Sequence, residues 1–360
     1  MKAFWQRDRK LHLWLLCLAA FFAAFAVLRQ NRSLMQTLCR RVLLPWERML
    51  GRLCGFVSVS AAEVLIIAAL CGAFFGLTWW MRRLITAQSV GTVLYRGIVT
   101  IACTALTVWA GFCLLWSPFY QAKSFQEKSG IVATGGTVAD LQALTEKFAW
   151  ELSACADDVP RSETGCFAVP REEILSAAAQ SYTGLTDEFP FLQAPVCVPK
   201  AFASSRALSA LNFTGFYFPF TGEANVNIDS PAAFLPCTVC HEMAHQQDIA
   251  SEQECNFLGI LAAIRSDAAA YRYSGYLTGY VYLSNALYRI DEAAWREVRG
   301  SLPETVVRDL QANNQYWAQF EGVVKEAAQN IYDDFLKASG DENGVQSYGM
   351  VVDLLLAYYE

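Results

Sequence analysis

The sequence predicts an α+β fold, mainly α. Three N-terminal transmembrane helices precede a globular domain with a short β-sheet just upstream of a helix that carries two histidines. Three observations carry that expectation. Three long apolar stretches lie within the first 118 residues. The remainder reads as successive helices, interrupted by one aromatic and β-branched stretch at 213–228. A short way downstream stands His241-Glu242-Met243-Ala244-His245, which holds two of the chain's three histidines.

The 360 residues suffice for two domains or one large one. Hydrophobic residues make up 54% and charged ones 17%, and the apolar excess falls in the first third. The chain therefore divides into a membrane part, 1–118, a linker, 119–136, ending in Thr134-Gly135-Gly136, and a globular domain, 137–360. The net charge of −6 and the lack of a basic patch argue against nucleic acid.

The spans are expected at about 11–28, 56–80 and 97–116. Each is long enough to cross a hydrocarbon core of roughly 30 Å. The first could be a cleaved signal peptide. However, no small-x-small site precedes the next basic run, and two further spans follow, so an anchor is preferred. Lys2, Arg7, Arg9 and Lys10 place the N-terminus in the cytoplasm, and three spans then put 119–360 outside it. Arg29, Arg32, Arg40, Arg41, Arg48 and Arg52 in the first loop oppose that rule; the first helix is given more weight. Within 29–55, Leu34, Leu38, Val42, Leu43, Met49, Leu50 and Leu53 recur at helical spacing among the arginines, with Pro45 as a break. This predicts an interfacial segment on anionic lipid headgroups rather than a plain polar connection. Glu63 and Arg96 lie near span ends, where snorkelling accounts for them without a role.

Thr137 opens the globular domain's first helix, with Asp140 in a capping-box arrangement and Leu141, Leu144, Phe148 and Leu152 on the apolar face. A second helix is expected at 171–181. Pro190, Pro195 and Pro199 mark 184–209 as mostly loop. Cys155 and Cys166 flank a polar segment and could pair in an oxidising compartment. Cys237 and Cys240 have no partner pair and read as buried thiols. In the extended region, Glu223, Ala224, Asn225, Val226 and Asn227 are read as an edge strand able to pair with a peptide substrate, the alternative being a structural hairpin. The next helix starts at Pro236, which suits a first helical position, and ends near Asp248. From Ser251 onwards the pattern is helical, with breaks near 300–303 and 340–344.

Histidines four residues apart share one helix face and can share a metal ion. A catalytic Zn2+ site takes three protein ligands and keeps one position for water. His241 and His245 supply two. His12 lies in the membrane part, so the third is a downstream carboxylate: Asp248, Glu252, Glu254 or Asp267. Ser251-Glu252-Gln253-Glu254 reads as a capping box that occupies Glu254. Glu252 shares a helix face with Asn256, an outer-shell candidate, and is preferred over Glu254. Glu242 points roughly 100° away from the ligand face and is the candidate general base. Tyr273, among Tyr271, Arg272 and Tyr276, is the candidate oxyanion donor, with packing between helices as the alternative. Asp267 is a candidate for orienting a histidine.

These residues resemble the gluzincin pattern HExxH followed by E-x-x-A-[D/N], here with Glu252, Cys255 and Asn256. They are similar to membrane metallopeptidases of the HtpX/Ste24 type and to ImmA/IrrE-like peptidases. The chain resembles more closely the bacterial DUF3810 family of membrane-anchored zincin-like proteins. The matching stretches are 218–227, 241–246, 252–257, 273–276, Ser347-Tyr348-Gly349 and Asp353-Leu354-Leu355. The resemblance implies a zincin-like domain in the bacterial cell membrane, with one Zn2+ per chain. It implies His241, His245 and Glu252 as ligands and Glu242 as base. The leading function read from these residues is a membrane-anchored zinc metallopeptidase acting on a peptide or protein near the membrane surface. Cys255 departs from the usual alanine, and Gln247-Asp248-Ile249 departs from the commoner glycine-containing turn, which bears on where Glu252 sits. Two other functions fit the same residues: a non-catalytic zinc-binding sensor or scaffold, and a zinc hydrolase of cell-wall amides. Intact Glu242 favours catalysis, since a structural site does not need it.

Overall fold

The computed structural model describes residues 8–133, 135–193, 197–340 and 348–360. Lys2, Arg7, Thr134, Pro195, Ser347 and most of the break at 340–344 lie outside the described residues.

Three helices are long and apolar enough to cross a membrane: α1 (Arg9–Leu28) and, further on, two consecutive ones. Between them the arginine-rich segment forms α2 (Arg32–Leu38), a π-helical turn at Cys39–Leu43, and α3 (Leu44–Gly55) with Pro45 in its first turn. Its buried stripe is Met35, Cys39, Leu43, Glu47 and Gly51, one residue every four. Cys39 and Leu43 pack against Trp116, Phe119 and Ala250, so this face docks on protein. Leu34, Val42, Trp46, Met49 and Leu53 stay exposed on the other side, with Arg40, Arg41 and Arg52.

The second and third spans are α4 (Ala61–Ile85) and α5 (Val90–Leu115), with Leu65, Phe74, Phe75, Ile98 and Ile101 exposed along them. The N-terminus of α4 is bound to the globular part. Ser60 caps it, and the Glu223 carboxylate accepts from the backbone N–H groups of Ala61 and Ala62 at 3.2 and 2.8 Å. Glu63 does not snorkel. It is buried and accepts from Ala203 N and Ser204 N, both at 2.8 Å, because the first turn of α4 sits in the protein rather than in headgroups.

The segment expected as a linker is structured. It holds α6 (Ser117–Gln121) and α7 (Phe125–Ser129), and fully buried Phe125 packs on Phe189, Phe191 and Phe257. Next comes α8 (Val138–Ala154), whose N-terminus carries the Thr137–Asp140 capping box. Cys155 and Cys166 are free thiols, and Cys155 donates to the Leu152 carbonyl. Then follow α9 (Arg171–Ala177) and α10 (Thr183–Thr186).

A three-stranded sheet comes next: β1 (Lys200–Ala201), then α11 (Ser205–Ala210), β2 (Gly215–Phe218) and β3 (Glu223–Val226). The order is β1-β3-β2. β3 runs parallel to β1, with Lys200 opposite Asn225, and antiparallel to β2, with Phe216 opposite Asn225. Gly222 turns the hairpin at φ +66°, and a β-carbon there would stand 2.3 Å from the Glu47 carbonyl. Only glycine fits both demands.

The helical body is α12 (Leu235–His245), α13 (Glu252–Arg265), α14 (Ala269–Ile290), α15 (Glu292–Gly300), α16 (Glu304–Ala318), α17 (Val323–Ser339) and α18 (Tyr348–Tyr359). The core lies among α8, α12, α13, α14 and α18, with Phe148, Met243, Phe257, Leu261, Tyr271, Leu277 and Leu354 buried. The fold is mainly helical, with a small sheet beside the helix that carries the two histidines.

Candidate metal centre

α12 begins with Leu235-Pro236 and ends on His245, so His241 and His245 stand one turn apart with ring centroids 5.1 Å apart. The next helix, α13, brings Glu252 to them from its first turn. Glu252 Oε2 is 3.2 Å from His241 Nε2, and Oε1 is 3.7 Å from His245 Nε2. One donor atom from each of the three lies within 4.8 Å of the others.

Two local features allow this approach. Gly259 lets α13 come close to α12, since a β-carbon there would stand 3.0 Å from His241 N and 3.1 Å from its Cα. The connecting turn contains Asp248 at φ +74°, a conformation that aspartate tolerates better than most residues. It takes the place of the glycine that such a turn commonly uses. His245 Nδ1 is 2.9 Å from the Ile249 carbonyl oxygen, and donation there leaves Nε2 with its lone pair towards Glu252. Cys255 Sγ sits 3.3 Å from the same Nδ1.

Burial pushes His245 down to about 4, so it is neutral near pH 7. Burial opposes the Glu252 charge, but the hydrogen bond with His241 and the fields of both imidazoles outweigh it and hold Glu252 at about 2. Burial likewise opposes a charged His241, and Glu252 and Glu242 overcome it and raise the group. A metal ion would displace that proton. Asn256 bonds His241 from α13. Glu242 is 3% exposed, and burial, reinforced by Glu252, pushes it up to about 8. Its Oε2 has no hydrogen-bond partner among the described residues.

The centre opens into a cleft of about 1050 Å3. Phe112, Trp116 and Tyr120 from α5 and α6 form one wall, and Thr214 to Tyr217 along β2 form another. Tyr217 stacks on the His245 ring at 6.3 Å, and its hydroxyl donates to Glu47 Oε2 of α3 at 2.9 Å. Tyr332 of α17 reaches in from 80 residues downstream and donates to Glu252 Oε1 at 2.7 Å. Sequence reasoning missed Tyr332, Tyr217, Trp116 and Gly215. For the three aromatic residues the only signal was aromatic content, which core packing explains equally well; Gly215 read simply as an interruption of the strand.

Several expected site residues lie elsewhere. Glu254 is neither a ligand nor part of a capping box. Its carboxylate accepts from Phe125 N and Gln126 N at 2.9 and 3.1 Å, capping α7, while Ser251 donates to Gln253. Tyr273 is fully buried outside the cleft, donates to Asp309 and lies under the Arg161 guanidinium, because α14 turns that face into the core. Asp267 is exposed, and its backbone carbonyl accepts from Arg272 rather than its carboxylate orienting a histidine. Glu223 to Asn227 are not an edge: β3 is the central strand, and the strand at the edge beside the cleft is β2. Asn225 accepts from Ser60, and Asn227 bonds Ser209 and the Phe213 carbonyl.

The three apolar helices mark a membrane-anchored protein, and the His–His–Glu cluster gives it a cleft that could hold a metal. The chain belongs to the DUF3810 family, described as proteins of unknown function, whose model matches residues 40–356. No curated protein and no solved structure matches it.

Proposed function

We propose that the chain is a membrane-anchored zinc metallopeptidase with a zincin-like domain of the gluzincin type. One observation carries the reading. His241, His245 and Glu252 converge beside Glu242, a buried carboxylate whose Oε2 lacks a partner among the described residues and which lines a peptide-sized cleft. Two imidazole nitrogens and one carboxylate oxygen are a donor set suited to zinc. Among the described residues the cluster has three members, whereas a structural zinc site is normally closed by a fourth protein ligand.

When bound, the ion supplies Lewis-acid activation of water and of the scissile carbonyl. Glu242 takes the proton from the attacking water and returns it to the leaving amine. The edge strand β2 offers its outer backbone to an extended substrate chain, which favours a peptide over a cell-wall amide. The aromatic walls accept large apolar side chains. Arg40, Arg41 and Arg52 on the exposed side of α2–α3 are positioned for anionic headgroups. The proposed location is the bacterial cell membrane, with the catalytic domain outside the cytoplasm.

The test is hydrolysis of extended peptides with large apolar side chains by the detergent-solubilised full chain. A chelator should abolish cleavage and added zinc should restore it. Cleavage that survives complete chelation would overturn the proposal.

A further inference from the structure

We infer that α17 is a strap that ties the metal ligand Glu252 to the third membrane helix, with Tyr332 as the positioning residue. The inference rests on the metal-binding reading of the centre and adds a dependence of that centre on the membrane anchor.

The chain of contacts is continuous. Tyr332 donates to Glu252 Oε1 at 2.7 Å, the oxygen that also lies 3.7 Å from His245 Nε2. Three residues on, Phe335 lies against the last turns of α5, with its ring centroid 4.8 Å from Phe112 and 5.9 Å from Trp109. The Tyr332 and Phe335 rings stack at 6.3 Å, one helical turn apart on the same face. Phe213, just before β2, meets Tyr332 edge-on at 5.0 Å and fixes its ring from the other side.

The C-terminal end of α17 is fastened to the same place. Ser117, just past α5, donates to the Ser339 carbonyl at 3.3 Å. Gly340 approaches so closely that a β-carbon would stand 2.6 Å from Gln121 Nε2 and 3.1 Å from Tyr120 Cβ. The N-terminal end contrasts with this: Val323 and Val324 are exposed after Gly322 at φ +142°. Thus α17 is held from Tyr332 onwards by the end of the third span.

The chemistry follows from the bond. Glu252 enters from the first turn of α13, and its carboxylate can rotate about its side chain. A donor on Oε1 selects one orientation and leaves Oε2 towards His241. Groups that orient a ligand in this way set metal affinity, commonly by about 10–100-fold. Displacement of α5 would move Phe335, then Tyr332, then the ligand.

The experiment is zinc affinity, by competition with a chromogenic chelator, on the full chain in detergent. Tyr332→Phe keeps the ring and removes only the donor; it should weaken zinc binding by about 10–100-fold. Phe335→Ala should weaken it as well, and the double variant should fall short of the product of the two effects, since both act through one contact. Ile331→Ala, on the exposed side of α17, should bind as the parent does. Parent-like affinity in Tyr332→Phe would overturn the inference, and parent-like affinity in Phe335→Ala would overturn its link to the membrane helix. A parent that binds zinc but cleaves no peptide contradicts the peptidase reading alone. A parent that binds no zinc contradicts both.

Discussion

Gly215 of β2 lies directly against Glu242 of α12: a β-carbon at 215 would stand 2.5 Å from Glu242 Oε1 and 2.8 Å from its Cγ. The strand at the sheet edge thus shapes the pocket of the proposed base. Gly215→Ala should displace the Glu242 carboxylate and also press on the Asn225 carbonyl oxygen, 2.8 Å from the same β-carbon, so peptide hydrolysis should fall on the order of 10²-fold with some loss of stability. Zinc content should stay at the parent level, because His241, His245 and Glu252 are untouched. Steady-state kinetics with metal analysis checks both halves.

Gly259 plays the matching part between helices, with its missing β-carbon 3.0 Å from the backbone of His241. Gly259→Ala should separate α12 from α13, destabilise the fold by about 1–3 kcal/mol and weaken zinc binding, since the two helices carry the three proposed ligands. Thermal unfolding in detergent and chelator competition read the two effects.

Glu252 and Glu254 should part in mutagenesis. Glu252→Ala removes a proposed ligand and should abolish stoichiometric zinc. Glu254→Ala leaves Phe125 N and Gln126 N without their acceptor, costing about 1–3 kcal/mol of stability, with zinc retained. The reverse pattern would reassign the third ligand.

This pair shows where sequence legibility ends. The His241–His245 spacing, the Thr137–Asp140 capping box and the three apolar helices are local patterns, and each is visible in the chain. Ser251 to Glu254 also forms a local pattern, but the Glu254 carboxylate goes to backbone 129 residues away. β3 was misread as an edge because its second neighbour, β1, is two residues long and pairs across a crossover. Tyr332 could not be assigned because nothing local distinguishes a tyrosine that reaches a ligand from one that packs. Tyr273 is the converse case: its neighbours suggested a site, and tertiary packing against Asp309 and Arg161 claimed it.

Asp248 supplies a pH test. Burial pushes it up to about 6 from an ordinary 3.8, with Lys128 opposing, and its Oδ1 has no partner among the described residues. An acid raised in the folded state favours folding below its unfolded value, and that contribution is lost as pH rises through about 6. Asparagine tolerates the same positive φ without the charge. Asp248→Asn should therefore stabilise the protein at pH 7.5 by about 2–3 kcal/mol, and the gain should vanish below pH 4. Unfolding midpoints across that range are the measurement.

The most direct test of the central claim is zinc content measured together with peptide hydrolysis on the purified full chain and on Glu242→Gln. The account predicts about one zinc per chain in both, with cleavage by the parent only, as one carboxylate base per three-ligand zinc site requires. Equal cleavage by both proteins, or a parent that holds no zinc, would contradict it.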